Sequence, residues 1–384
     1  MRYRRSRCLT CYWREGAFIV HPYPHGTPTA LHPVAAEVLS AFEEWTAPKE
    51  SAETLDHLAP ETLEEAVEAL AEAGALLAED SPAAHHDEEI DRHWSTWAPE
   101  APFLHYASQD EYAHGQSGME ERETAEPESP AESIGLPPLF TSHPDAPRLP
   151  LPRPAAEFPT PYGQVLHARR THRDFSRDAV PLRTVSALLS AVFGPVDFID
   201  SGHGALYRRT SPSGGARQEL DAYLGALNIG GLAPGWYHYN GLEHSLELLS
   251  EGFTGAEAAR LCAGQEWAGE AAFLVVLAAR LERMSVKYRS PRSYRVCLLN
   301  AGHLGQTFAL TATALGLGPA QTGAFDDTSA ARHCGLDNAS RIPVYVLAAG
   351  HPANPPREEP PPATLTAFAG TPLSGDGHSP PPNR

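Results

Sequence analysis

Three arginines fall within five residues at Arg169, Arg170 and Arg173, with the hydroxyl of Thr171 between them. A guanidinium offers a rigid fork of donors that matches phosphate oxygens, and its charge cannot be titrated away. Such a cluster beside an apolar-periodic helix suits a phosphorylated ligand, although on its own it also fits a solvated basic turn. A second basic residue stands out by rarity. The chain's 29 Lys and Arg include two lysines, Lys49 and Lys287. A lysine amine can accept a proton and an arginine cannot. Lys287, followed by Tyr288, is therefore a candidate base; the plainer reading is a solvent-facing lysine after a strand. Arg292, Tyr294 and Arg295 follow closely enough to steer an acidic peptide.

Three further segments carry site chemistry. Arg209-Thr210-Ser211-Pro212-Ser213-Gly214-Gly215-Ala216-Arg217 is a Gly-rich loop whose backbone can approach a flat ligand closely. Leu299-Asn300-Ala301-Gly302-His303-Leu304-Gly305-Gln306 opens an apolar helix ending in Leu315-Gly316-Leu317-Gly318, and Gln321-Thr322-Gly323-Ala324-Phe325-Asp326-Asp327 reads as a polar-aromatic loop. With Ala168–Phe175, these segments resemble the nitroreductase-like flavoproteins and, within them, the SagB-type dehydrogenases of peptide natural-product pathways. The resemblance runs from about Tyr162 to Gly350. Its most specific parts are Pro-Ser-x-Gly and Ala-Gly-His-x-x-Gln, in this order.

The resemblance implies FMN as cofactor and an obligate homodimer with two flavins at its interface. It sets Arg169, Arg170, Thr171 and Arg173 on phosphate, ribityl and pyrimidine edge. Pro212, Ser213 and Gly214 would lie against the ring system across the dimer, with Ser213 as a direct hydrogen-bonding partner. Gln306 would face the ring, and Thr322, Gly323 and Ala324 would approach flavin N5. Lys287 and Tyr288 match a pair that removes a Cα proton in azoline dehydrogenases. The implied activity is FMN-dependent oxidation of a ribosomally made peptide, azoline to azole. Two departures bear on the substrate: Asn300 stands where those enzymes often carry an acid, and Ala216-Arg217-Gln218 replaces the more usual Leu-Tyr-Pro. Relatives that hydroxylate or oxidise an aromatic (indole) side chain on a scaffold peptide give the alternative. A non-catalytic peptide-engagement protein is the second.

Stepping from residues to elements, 384 residues with 42% hydrophobic content are enough for a large core and two domains. A formal charge of -19 argues against nucleic acid or an anionic membrane as main partner. Arg2, Arg4, Arg5, Arg7 and Arg14 make the N-terminus basic; they read as a solvated edge. No export signal or membrane span is expected, and the cytoplasm is the expected location. Five cysteines form no disulfide framework. Cys8 and Cys11 have metal-ligand spacing, with His21 and His25 downstream, but they read as residues of a strand. No metal is predicted.

Residues 1–112 are expected to form a winged-helix-like peptide-recognition domain with an aromatic extension. A hairpin turns at Glu15-Gly16, and a helix follows Pro33. A second helix is marked by a Thr62/Glu65 capping box and closed by Gly74 before Ala75-Leu76-Leu77. Its Glu64, Glu65, Glu68 and Glu72 would face outward and repel phosphates, so the module should grip a leader or scaffold peptide rather than DNA. His85, His86 and His93 read as a solvated loop. Residues 113–161 are an acidic, Pro-rich linker, and 351–384 a Pro-rich tail. Residues 162–350 are the nitroreductase-like FMN domain, of α+β class: a sheet covered by helices in three layers. Helices are expected at Tyr162–Arg169, Leu182–Phe193, Thr254–Cys262 and Asn300–Leu315. Strands are expected at Leu220–Leu227, Gly235–Tyr239, Ser245–Leu249, Phe273–Arg280 and Ile342–Ala349. Partner maturation enzymes complete the expected setting.

Overall fold

Alternation along three strands splits the core in two. In β10 (Leu220–Ala226), β14 (Phe273–Arg280) and β16 (Arg341–Gly350), one parity of side chains joins one apolar cluster and the other parity joins a second. Leu220, Ala222 and Leu224 lie with Phe273, Val275 and Leu277 on the first face. Tyr223, Leu274, Val276 and Val346 lie on the second. Period-two strands buried on both faces must be covered twice, and they are. Helices Leu182–Phe193 and Arg292–Ala314 cover the first face with Val185, Leu189, Leu304 and Phe308. Helices Gly255–Leu261, Glu266–Glu270 and Asp327–His333 cover part of the second with Leu261, Trp267 and Ala330. This is the expected three-layer α+β architecture.

The computed structural model describes residues 1–24, 26–109, 137–153, 158, 160–201, 205–288 and 290–354. His25, most of the expected linker and the tail from 355 onward lie outside the described residues. The chain divides into two compact units, Met1–Glu128 with Ser290–Arg292, and Ser129–Arg289 with Ser293–Arg384. In the second unit the sheet has seven strands in the order β15-β16-β14-β10-β12-β13-β6, every neighbouring pair antiparallel. Here β6 is Arg148–Pro150, β12 Gly235–Asn240, β13 Ser245–Glu251 and β15 Gly318–Thr322. Two of these strands were not expected. β15 was read as helix end and loop, because Gly318, Pro319 and Gln321 are poor strand formers; it exists as an edge strand through its pairing with β16. β6 lies inside the Pro-rich stretch, where prolines are tolerated at an edge. The long helix starts at Arg292 rather than Asn300, just after Ser290-Pro291.

The first unit holds the expected hairpin, β2 (Leu9–Arg14) and β3 (Ala17–Pro22), turning through Glu15 and Gly16, both at positive φ. β4 (Thr29–Leu31) extends it, and β1 (Tyr3–Arg5) pairs with β5 (Leu76–Ala78). Helices Val34–Ala41, Pro48–Thr54 and Pro60–Glu72 close an apolar core of Phe18, Val20, Val38, Phe42, Leu63, Val67 and Leu70. The second expected helix begins at Pro60 with Ala59 as N-cap, so Thr62 lies inside it and caps nothing. Proline at the first helical position fixes φ for the turn and sets the start. Its C-terminus is a Schellman motif: Gly74 at φ 75°, Gly74 N–H to Ala71 O and Ala75 N–H to Leu70 O.

His85, His86 and His93 are not in a loop. They lie on helix Pro82–Trp94, whose N-cap Ser81 accepts from Ala84 N–H at 3.1 Å. The basic N-terminus is not simply solvated either. Arg4 is buried against Asp87 at 3.2 Å, with its guanidinium 4.7 Å from the Trp45 ring centre; Arg5 and Arg7 meet Glu43 and Asp91.

Candidate functional site

Helix Tyr162–Ala168 ends at Arg169, whose N–H still reaches Val165 O at 2.9 Å before the backbone turns extended. The chain then lies on edge strand β15. His172 N–H donates to Pro319 O at 2.9 Å, and the imidazole fills the space above Gly318, where a Cβ would stand 2.7 Å from the ring. Glycine there admits the close approach. Arg169 is half-buried; Arg170, Thr171 and Arg173 are exposed. Arg170 Nη1 donates to the carbonyls of His167 and Arg169 at 2.7 and 2.8 Å. Burial, then the charges of Arg169 and Arg170, hold the His172 pKa below its usual value. The positive charge of this segment therefore rests on its arginines.

The same strand leads to the other expected segment. Thr322 Oγ1 accepts Ala324 N–H at 2.9 Å, which curls the chain at the strand end. The Gln265 amide braces this turn, 3.0 Å from both Thr322 Oγ1 and Ala324 O. Gly323 and Ala324 are exposed, and nothing lies within 4 Å of where a Gly323 Cβ would be. Pro319 and Thr322 are three strand residues apart, about 10 Å. Arginines at one end and an open glycine turn at the other thus share one sheet edge. That arrangement sets a cluster of cations and an open backbone turn along one strand.

A second group forms around the Gly-rich loop. Ser213 Oγ accepts Gln218 N–H at 3.0 Å and donates to Glu219 Oε2 at 3.3 Å. Asn300 Nδ2 donates to Glu219 Oε1 at 2.8 Å. Glu219 is fully buried and Asn300 nearly so. The Cys297 thiol, pushed up to about 12 by burial and then by the charge of Glu219, stays protonated beside them. Gly215 sits at φ 59°, with the Tyr288 ring directly over it; any Cβ would collide with the phenol. Lys287 Nζ lies 5.4 Å from the centre of that ring, and the lysine is exposed. Pro212, Ser213, Gly214, Lys287 and Tyr288 are thus brought together, although more than seventy residues separate the two segments.

Helix Arg292–Ala314 stands between the groups. Asn300, the His303 carbonyl and Thr307 face the loop, the last two meeting Ser211 Oγ at 3.5 and 2.6 Å. Gly305 faces β15 and β16, under Tyr345 and beside Gln321. Gln306 is exposed, on one helical face with Leu299, which is 63% exposed, and with Gly302.

Comparison with known proteins shows the family. Residues 166–351 match the model of the nitroreductase family. The chain is 32% identical over 163 residues to MJ1384 of Methanocaldococcus jannaschii, a protein named as a nitroreductase, covering 42% of this chain and 78% of that one. The chain belongs to the nitroreductase family. It is accordingly an oxidoreductase of a flavin-binding family. Its relatives include proteins named for microcin B17 processing and for the trifolitoxin operon. McbC of Escherichia coli, the microcin B17-processing protein, is 28% identical over 204 residues, 48% of this chain and 71% of McbC. The trifolitoxin operon protein TfxC of Rhizobium leguminosarum bv. trifolii is 33% identical over 121 residues, 32% of this chain. That match spans a third of TfxC. Among the described residues no helix is long and apolar enough to cross a membrane.

Two site residues escaped the sequence reading. Glu219 is hidden in Gln218-Glu219-Leu220, where nothing marks a buried acid. Gln265 lies 57 residues before Thr322 and is linked to it by folding alone.

Proposed function

We propose that this nitroreductase-family protein is an FMN-dependent enzyme that oxidises an azoline in a ribosomally made peptide to an azole. The observation that carries the reading is the packing of Lys287-Tyr288 onto Gly215 of the Pro-Ser-x-Gly loop, which brings a proton-accepting amine to the ring-side loop. FMN, when bound, supplies the hydride acceptor. Arg169, Arg170, Thr171 and Arg173 hold its phosphate, ribityl and pyrimidine edge. Ser213, Gln306 and the Thr322–Ala324 turn line its ring. Lys287 would take the azoline Cα proton, with Tyr288 fixing the position of the amine. The departure at Asn300 still leaves a carboxylate in contact with that residue, because Asn300 donates to buried Glu219.

The exposed face of Leu299, Gly302 and Gln306 fits burial in a homodimer that places the loop of one copy against the flavin edge of the other. The N-terminal unit, in a winged-helix-like role, holds leader or scaffold peptide, and partner maturation enzymes supply the azoline. The name of McbC as a microcin B17-processing protein supports a peptide substrate. The test is direct. Purified protein should be yellow, release FMN rather than FAD on denaturation, and remove two hydrogens from an azoline peptide without taking up labelled oxygen. Oxygen label in the product would move the reading to hydroxylation of an aromatic side chain. A colourless protein that FMN cannot reconstitute would leave a non-catalytic peptide-engagement role.

A further inference from the structure

On the second face of the sheet, strand register lines up a polar row. Tyr223 of β10 lies opposite His238 of β12, His238 opposite Glu247 of β13, and Glu247 opposite Arg148 of β6. Residues directly opposed across a ladder share a face. The segment before β6 crosses this row, and His143 N–H donates to Glu247 Oε2 at 2.9 Å. Glu247 also accepts from His238 Nδ1 at 2.8 Å, Asn240 Nδ2 at 2.9 Å and Arg148 Nη2 at 3.2 Å. An ionised carboxylate can only accept, so His238 Nδ1 carries a proton toward Glu247 and Nε2 is the ring nitrogen left to meet another partner.

Among the described residues, His238 Nε2, His143 Nε2 and the Tyr223 hydroxyl are all buried without a hydrogen bond, with His238 at 1% and Tyr223 at 0% exposure. The rings of His143 and Tyr223 lie 5.0 and 5.1 Å from that of His238. One potential ligand atom from each of His143, His238 and Glu247 lies within 4.8 Å of the others. Unpaired buried polar atoms are costly and call for a partner. An imidazole whose Nδ1–H is held by a carboxylate is the arrangement that orients a histidine toward a metal.

We propose that His143 and His238 bind a divalent transition-metal ion, zinc by its preference for imidazole ligands, with Glu247 orienting His238. Enclosure under segment 137–147 gives the ion a structural role, pinning that segment to the sheet.

The test uses the full chain, loaded with zinc, desalted against a weak chelator, and measured for metal by mass spectrometry alongside FMN content. Wild type should retain one zinc per chain and melt higher with zinc than with a strong chelator. His143→Gln and His238→Gln should each lower retention at least tenfold, and His85→Ala on the exposed helix should not. Cobalt loading should give visible ligand-field absorption in wild type that is absent in His143→Gln. This keeps the test informative if His238→Gln does not fold. Folded wild type without retained zinc, or equal retention in folded His143→Gln, overturns the proposal.

Discussion

Two buried glutamates, one on each side of the sheet's chemistry, are held in opposite ways. Glu247 is gripped by Arg148, a histidine, an amide and a main-chain N–H. Glu219 is held by the neutral amide of Asn300 and hydroxyl of Ser213, next to a protonated thiol and the Gly-rich loop. A carboxylate with an arginine and several donors is fixed as an anion and serves structure. One held by neutral donors next to the Gly-rich loop, onto which Tyr288 packs, belongs to the group where the proposed proton transfer would take place. Changes at the Gly-rich loop should therefore cost rate, and changes along the Tyr223–His238–Glu247 row should cost stability.

Lys287 offers the largest break in that contrast. Lys287→Ala should retain FMN and melting temperature yet lose about 10²–10⁴-fold in turnover of an azoline peptide, the range typical of a missing general base. Lys287→Arg should fail similarly, being charged but unable to accept a proton. Single-turnover flavin reduction measures both. Near-normal rates in the two variants would remove the proposed base from the mechanism.

Asn300 sharpens the contrast next, because its amide is what allows Glu219 to stay buried without a second charge. Asn300→Asp sets a carboxylate against a carboxylate, and two buried carboxylates in contact do not both ionise. One of them acquires a raised pKa in the folded state. Stability is then close to wild type at acid pH and falls as pH rises through that pKa. Urea unfolding should show a deficit of about 2–4 kcal/mol at pH 7.5 that shrinks toward pH 4.5. A deficit independent of pH would mean that the amide acts by packing alone.

What the sequence revealed follows the same division. The Gly-rich loop, the arginine cluster and the strand-end turn are contiguous motifs, and contiguity makes them readable. The five long strands were legible from period-two apolar runs such as Phe273–Arg280, and they ended within two residues of expectation. β15 was hidden because an edge strand needs pairing more than propensity. The row was hidden more deeply. Tyr223, His238 and Glu247 are 15 and 9 residues apart, and only the registers of two ladders make them neighbours. His143, read as part of a linker, joins them through a main-chain hydrogen bond that no side-chain pattern announces.

The smallest expected effect lies in that row and concerns pH. Burial works to raise the Glu247 pKa, but hydrogen bonds from His238, Asn240 and the His143 N–H prevail and hold it at about 2, below its ordinary 4.5. A carboxylate with a depressed folded pKa stabilises the fold fully above its unfolded value, and the contribution is lost as pH falls through the folded one. Glu247→Gln removes this term. With chelator present to exclude metal effects, wild type should exceed the variant by up to about 3 kcal/mol at pH 7, and the gap should close between pH 4.5 and 2. Turnover of the azoline peptide by the folded variant should stay within about twofold of wild type, since among the described residues the row makes no hydrogen bond to the Arg169–Arg173 segment, the Thr322–Ala324 turn or the Gly-rich loop. A rate loss comparable to that of Lys287→Ala, at full FMN occupancy, would tie the row to the chemistry and end the separation between the two glutamates.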